Sequence, residues 1–331
     1  MDDELLGPFA RLLTDLSPPA TVRGAEKDGS APELWAAIGD SGFLDALVPE
    51  DSGGVGLLPQ NIASLVIACG EHLVPVPVAE TIVARALLAR HGADVPADAP
   101  ILLWPLSEDG KLSSPVAPVF SDGCLALVQS GNGMTLVEAA QGERDGFGLP
   151  AALISADAPP LAAFESDIDL LTWAAAITSA HMAGAMNRVL AMSIAHASER
   201  NQFGRPLSKF QAIQHHLAVM AERVAASNAA AHFVFASERL ALNPWRAAAA
   251  KCMVNQAAPD CCGLAHAVHG AIGISEEHDL QLHTRRIKRW QLSFGSEAYW
   301  ARRVAASWRE QGGGTSIDRI RRQIRGGSAD G

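Results

Sequence analysis

The residues best placed to do chemistry lie in Arg200-Asn-Gln-Phe-Gly-Arg-Pro-Leu-Ser-Lys-Phe-Gln211. Long helical patterns flank this stretch. Glu199-Arg200 ends the first, Asn201 to Gly204 breaks it, and Pro206 fits the first turn of the next helix. Arg200 then projects at one helix C-terminus beside the next N-terminus. A guanidinium next to free backbone N–H groups suits a diphosphate. An Arg in a last turn also caps its own helix, so Arg200 alone leaves both roles open. The Gly-containing stretch Ala267-Val-His-Gly-Ala-Ile-Gly273 reads by itself as a helix stop. The basic run Arg285, Arg286, Lys288 and Arg289 fits phosphates, an acidic partner or plain solvation. His215-His216, His266, His269, His278 and His283 raise the question of a metal, and His266 and His269 share a helix face. No His-Glu-x-x-His or carboxylate-rich pattern accompanies them, so no metal is expected. The loop Val48 to Gly56 is glycine-rich, but no Gly-Lys-Ser/Thr follows it, which excludes a Walker-type site.

Three regions must position these residues. Residues 1–95 carry helical spacing, as in Leu34 to Ile38 and Ile62 to Ile67. Residues 96–166 are Pro-rich, including Pro96, Pro115, Pro118 and Pro150, with short apolar runs between turns. Within them, 127–137 reads as a hairpin around Gly131-Asn-Gly133. Residues 167–311 return to long helical patterns over about 168–200, 206–240, 245–268 and 296–311, which implies an antiparallel four-helix bundle. Gly312-Gly-Gly314 and the rest of 312–331 read as a flexible tail. The expected fold is mainly α with a small β region.

The composition is globular: of 331 residues, 48% are hydrophobic and 19% charged. A formal net charge of −10 argues against nucleic acid as the main partner. The purest apolar run, Trp173 to Met186, is too short to span a bilayer and contains Thr178, Ser179 and His181. The N-terminus lacks a secretory signal pattern, so a cytoplasmic location is expected. Cys69, Cys124, Cys252, Cys261 and Cys262 form no C-x-x-C pair and read as reduced, mostly buried thiols.

Taken together, Arg200, Phe203, Gly204 and Gln211 resemble the flavin-contacting turn of acyl-CoA dehydrogenases. In that family these positions touch the diphosphate and adenosine part of an FAD held mainly by the neighbouring subunit. Ala267 to Gly273 resembles the Gln-x-x-Gly-Gly-x-Gly turn that also reaches the neighbour's FAD. Gly270 and Gly273 match it; Ala267 and Ala271 replace Gln and Gly. Arg285 to Ser296 is similar to Arg-Asp-x-x-Ile-x-x-Ile-Tyr-Glu-Gly-Thr, but Phe294 stands at the Glu. That Glu takes the α-proton of the thioester, and Phe has no lone pair to do so. Some members carry the Glu on the preceding helix, near Ala174 here, where no carboxylate occurs. Gly42 to Leu44, Val48 to Gly56 and Glu71 resemble the family's N-terminal domain. The flavin-cradling Thr-Glu-Pro-x-x-Gly-Ser-Asp and Trp-Ile-Thr-Asn-Gly stretches are missing from the middle.

The resemblance implies an acyl-CoA dehydrogenase architecture with a shortened middle β domain and no catalytic residue of its own. It further implies the degenerate subunit of a heteromer acting on a bulky, steroid-side-chain-like acyl-CoA. Its partners would be a homologous catalytic subunit, acyl-CoA and an electron-transfer flavoprotein, with FAD shared between subunits. Three alternatives remain at this stage. One is a homomeric flavoenzyme with a relocated base such as Glu297. Another is different chemistry on the same fold. The third is a flavin-free interaction protein.

Overall fold

The computed structural model describes residues 2–106, 123–155, 157–310 and 315–324; Pro115, Pro118 and Gly312 to Gly314 lie outside them. The first helices are α1 (Asp2–Leu16), α2 (Pro19–Asp28), α3 (Pro32–Asp40), α4 (Pro59–Glu71) and α5 (Val78–Arg90). Of these, α2, α3 and α4 begin on a Pro, whose missing N–H costs nothing in a first turn.

The chain then forms β1 (Ile101–Pro105), β2 (Leu125–Ser130), β3 (Gly133–Glu138), β4 (Ala140–Gln141), β5 (Ala152–Leu153) and β6 (Ala162–Glu165). The main sheet has the order β1-β2-β3-β6, with β1 parallel to β2 and the other pairs antiparallel. The expected hairpin is β2–β3, closed at Ser130 and Gly133.

Helix α6 (Leu170–Glu199) is the axis of the molecule. Gln129 of β2 fixes its start, donating to the Ile168 carbonyl at 2.8 Å and accepting from the Leu170 N–H at 2.7 Å. Asp169 caps it. From Leu170 to Met186 almost every residue of α6 is buried, so the run that looks membrane-like is a central helix packed on all sides. Among the described residues no helix is long and apolar enough to cross a membrane. The short hairpin β7 (Asn201–Gln202) and β8 (Arg205–Pro206) follows α6. Then come α7 (Gln211–Phe235), α8 (Pro244–His269), α9 (Leu280–Leu292), α10 (Glu297–Glu310) and α11 (Ser316–Ile324).

Four expectations are corrected. Pro206 closes the hairpin and does not sit in a first turn; α7 starts at Gln211, after a short 3-10 turn. Helix α9 joins the expected four helices. Its basic run is not a solvated face. Arg286 and Arg289 are fully buried, paired with Glu26 and Asp145 at 2.8 and 2.7 Å. The tail contains α11, capped where the Thr315 hydroxyl accepts from the Asp318 N–H at 3.2 Å and the Asp318 carboxylate accepts from the Thr315 N–H at 3.0 Å. Gln323 docks α11 on α8 through Asn243 and Arg246.

One buried group is costly. Glu80, on the first turn of α5, is 6% exposed and its Oε2 has no hydrogen-bond partner. Burial pushes its carboxyl up to about 7. The unfolded chain gives up this proton near 4.5 and the folded chain near 7, so stability falls as pH rises through that window. Glu80→Gln removes the titration. It is expected to leave stability at pH 4 unchanged and to raise it by roughly 2–3 kcal/mol at pH 8. Urea unfolding at both pH values measures the difference.

Candidate functional site

Arg200 is the C-cap of α6. Its N–H donates to the His196 carbonyl at 2.9 Å, and its carbonyl accepts from the Leu207 N–H at 2.9 Å. Its exposed side chain makes no hydrogen bond or ion pair among the described residues. The hairpin turns through Phe203 and Gly204, with φ of 53° and 79°. Positive φ at both positions matches the strand twist but costs a Phe about 1–2 kcal/mol. The Phe203 side chain is 92% exposed and touches only the edge of Phe210, over which the Arg205 guanidinium also lies at 4.1 Å. Gln211, the first residue of α7, is exposed beside it.

Helix α8 ends at His269. Gly270 has φ 64° and ψ −145°, a conformation open only to glycine, and a 3-10 turn runs to Ile274. A Cβ on buried Gly273 would lie 2.9 Å from His269 Cβ and 3.1 Å from Leu280 Cδ2, so that turn packs too closely for a side chain. The His196 and His269 rings stack at 4.5 Å between centroids. This stack ties the end of α6, hence Arg200, to the end of α8, hence Gly270. The structure therefore brings Arg200, Phe203, Gly204, Gln211, Gly270 and Gly273 to one end of the bundle. Ile194, Ile272 and Ile274 are exposed at the same end. The histidine rings stack and do not converge on a point. No group of three or more His, Cys, Asp or Glu able to hold a metal occurs among the described residues.

Phe294 lies elsewhere. Helix α9 runs from Leu280, which touches the Gly273 turn, to Leu292, a span of roughly 18 Å. Phe294 follows in a turn with φ 53°, and Gly295 has φ 102°. Trp300 donates from Nε1 to the Phe294 carbonyl at 2.9 Å and packs in one cluster with Ala175 of α6 and Ala248 of α8. The Phe294 turn thus borders the part of α6 that contains Ala174. Fully buried Lys251 donates from Nζ to the Trp290 carbonyl at 2.8 Å and to Asn255 Oδ1 at 3.0 Å. Burial pulls this ammonium down to about 7, against the attraction of Glu297. Glu297, the first residue of α10, has its Oε1 3.4 Å from Gln291 Nε2.

The sequence profile described as acyl-CoA dehydrogenase, C-terminal domain, matches residues 164–308. Acyl-CoA dehydrogenase IpdE2 of Mycolicibacterium smegmatis is 29% identical over 287 residues, covering 84% of this chain and 89% of that protein. Acyl-CoA dehydrogenase FadE34 of Mycobacterium tuberculosis is 31% identical over 323 residues, 87% of this chain but 44% of the relative. Among solved structures, the Tcur3481–Tcur3483 steroid ACAD superposes with a TM-score of 0.76 at 22% identity, over 94% of this chain and 98% of that one. The ChsE4–ChsE5 complex from Mycobacterium tuberculosis gives 0.73 at 22% identity over the same shares.

This chain belongs to the acyl-CoA dehydrogenase family. Its fold is the family's, mostly helical with a small sheet region. Within that fold the Arg200 end and the Phe294 turn are separate places, joined by α6 and α9. Reading the acyl-CoA dehydrogenase sequence missed His196, Lys251, Asn255 and Trp300, which shape these places from beneath. The His immediately before Gly270 was in view only as a metal candidate.

Proposed function

We propose that this chain is the non-catalytic subunit of a two-chain, FAD-dependent acyl-CoA dehydrogenase that desaturates a bulky acyl-CoA. The observation that carries the reading is the Arg200 end: an unpaired guanidinium, a strained and exposed Phe203 and the glycine-only Gly270, held side by side. These residues fit the diphosphate end of FAD. Arg200 offers charge, and Gly204 and Gly270 leave their backbone accessible to a ligand that approaches closely. Phe203, Ile194, Ile272 and Ile274 would be covered by the partner that holds the flavin. When bound, FAD supplies hydride acceptance from the β-carbon of the thioester. This chain's part is to bind and orient the cofactor's far end. At Phe294 it offers an aromatic ring and no proton acceptor, so the catalytic partner supplies the base.

Two solved neighbours support the two-chain assembly, a steroid ACAD named for two chains and the ChsE4–ChsE5 complex. A steroid-side-chain substrate and an electron-transfer flavoprotein as acceptor complete the proposal. The test is flavin content. Purified alone, the chain is expected to hold no flavin; co-purified with a homologous catalytic subunit, the pair is expected to hold one. Arg200→Ala removes a charge-assisted contact worth about 1.5–3 kcal/mol. It should weaken flavin retention by the complex about 10- to 150-fold. A full flavin on the lone chain, or unchanged retention in the variant complex, would sink the proposal.

A further inference from the structure

We propose that the stacked imidazoles of His196 and His269, with His278 set edge-on against His269, form a latch that positions the Arg200 hairpin against the Gly270 turn and opens as pH falls from 7 to 5. The latch is a property of this chain alone. Only the identity of what leaves the opened surface, flavin, rests on the function proposed above.

The geometry makes the case. His196 comes from α6, four residues before Arg200. His269 comes from α8, one residue before Gly270. Their rings are 4.5 Å apart and 26° from parallel. His278, from the segment leading into α9, meets His269 at 5.0 Å, edge to face. His266, one turn earlier on α8, also faces this cluster and holds its Nε2 3.1 Å from the Thr284 hydroxyl. Arg200 and Glu199, both at the end of α6, also act on His196, and Glu276, Glu277 and Asp279 flank His278 in the chain.

Proton positions follow from the contacts. His269 Nδ1 lies 2.8 Å from the Ala265 carbonyl and must carry the ring's proton. Its Nε2 is buried and has no partner. A second proton would therefore arrive at Nε2, in a buried place with no acceptor, beside two other imidazoles. His278 Nδ1 accepts the Leu280 N–H at 3.1 Å, so that nitrogen cannot also carry a proton. The stack is compatible with neutral rings and not with several charged ones. Burial, followed by neighbouring positive groups, holds His196 and His269 below the ordinary histidine range, and burial alone does so for His266.

The direction of the switch follows. A histidine whose folded pKa is lowered stabilises the closed form fully above about 6.5, and that contribution is lost on acidification. Each ring that gains a proton on opening raises the opening equilibrium by up to about tenfold per pH unit below that point. The parts released are the two short turns, because α6 and α8 are held elsewhere by their own packing. His196 and His269 act as positioning residues for Arg200 and Gly270.

The experiment is hydrogen exchange on the lone chain, corrected for the intrinsic pH dependence of amide exchange. Amides of residues 201–205, 207 and 270–274 are expected to exchange at least tenfold faster at pH 5.5 than at pH 7, while those of α4 keep their rates. His196→Phe retains an aromatic ring that cannot take a proton, and should abolish at least half of that acceleration. Direct titration of the imidazoles by NMR in the unmodified chain checks the same point without a variant. A flat exchange profile between pH 7 and 5.5, or ordinary histidine pKa values at His196 and His269, overturns the latch. Neither result depends on flavin, so the latch and the proposed function fail separately.

Discussion

Glu26→Ala is expected to lower the unfolding free energy of this chain by about 3–5 kcal/mol. Glu26, on α2, is 6% exposed and accepts from two guanidiniums of α9, Arg286 at 2.8 Å and Arg285 through its other oxygen. Arg286 is fully buried, as is Arg289, which pairs with Asp145 at 2.7 Å and donates to the Pro150 carbonyl at 2.8 Å. Arg144 closes the group by donating to the Glu26 carbonyl at 2.7 Å. Three guanidiniums therefore converge on two carboxylates, with the fourth on backbone carbonyls, and among the described residues Arg286 Nε and Nη1 and Arg289 Nη1 lack partners. Burial and the neighbouring Arg286 pull Arg289 down to about 10, with Asp145 and Glu26 opposing. Removing Glu26 leaves Arg286 as a buried charge without a counter-charge, which costs far more than the intact pair is worth. The hub links α2, the β4–β5 segment and α9. Guanidinium-chloride unfolding of Glu26→Ala at pH 7 measures the loss, and a change below 1 kcal/mol would mean that the arginines find other partners or water.

That hub also shows where sequence reading stops. The pattern over 168–200 located α6 to within two residues, because a long apolar helix with a cap and a break is written in neighbouring residues. The β2–β3 hairpin was legible for the same reason: Gly131-Asn-Gly133 sits between two apolar runs. The basic face of α9 was not legible. Whether an Arg is solvated or buried depends on its counter-charge, and Glu26 is 260 residues from Arg286. Helix α11 carried a local signal, Thr315 with Asp318 three residues on, but the glycines before it dominated the reading. At the candidate site, the residue types at Arg200, Gly270 and Phe294 were plain. What the sequence withheld was the pairing of His196 with His269, a contact between the ends of two helices, and the buried Lys251 bonded to the Trp290 carbonyl at the end of α9. Both depend on how α6, α8 and α9 cross.

The crossing of α6 with α4 is set by the absence of side chains, and the second large effect is expected there. Gly184 of α6 faces α4 so closely that a Cβ would lie 1.9 Å from the Ile67 carbonyl oxygen and 2.7 Å from the Glu71 nitrogen. Gly70 of α4 makes the reciprocal approach, its Cβ position 2.1 Å from the His181 carbonyl oxygen. Both obstacles are helix backbone and cannot rotate away as a side chain would. Gly184→Ala must push α4 and α6 apart, loosening the buried contacts of Ile67, Ala68 and Ala180. Overpacking of this kind costs about 3 kcal/mol or more, against a helix-propensity gain of at most about 1 kcal/mol. Gly24, inside α2, has nothing within 4 Å of its Cβ position and is the control. Gly24→Ala should stabilise by about 0.5–1 kcal/mol, so the two alanines should move the denaturation midpoint in opposite directions. The consequence reaches the site, because α6 carries Ala174 near one end and Arg200 at the other. A tilt of α6 on α4 moves the Arg200 hairpin relative to the Gly270 turn, which α8 holds. Gly184→Ala should therefore lower flavin retention by the complex together with stability, although it lies several helical turns from either. If Gly184→Ala proves as harmless as Gly24→Ala, the α4–α6 crossing is looser than these distances imply, and the rigid coupling between the two ends of α6 goes with it.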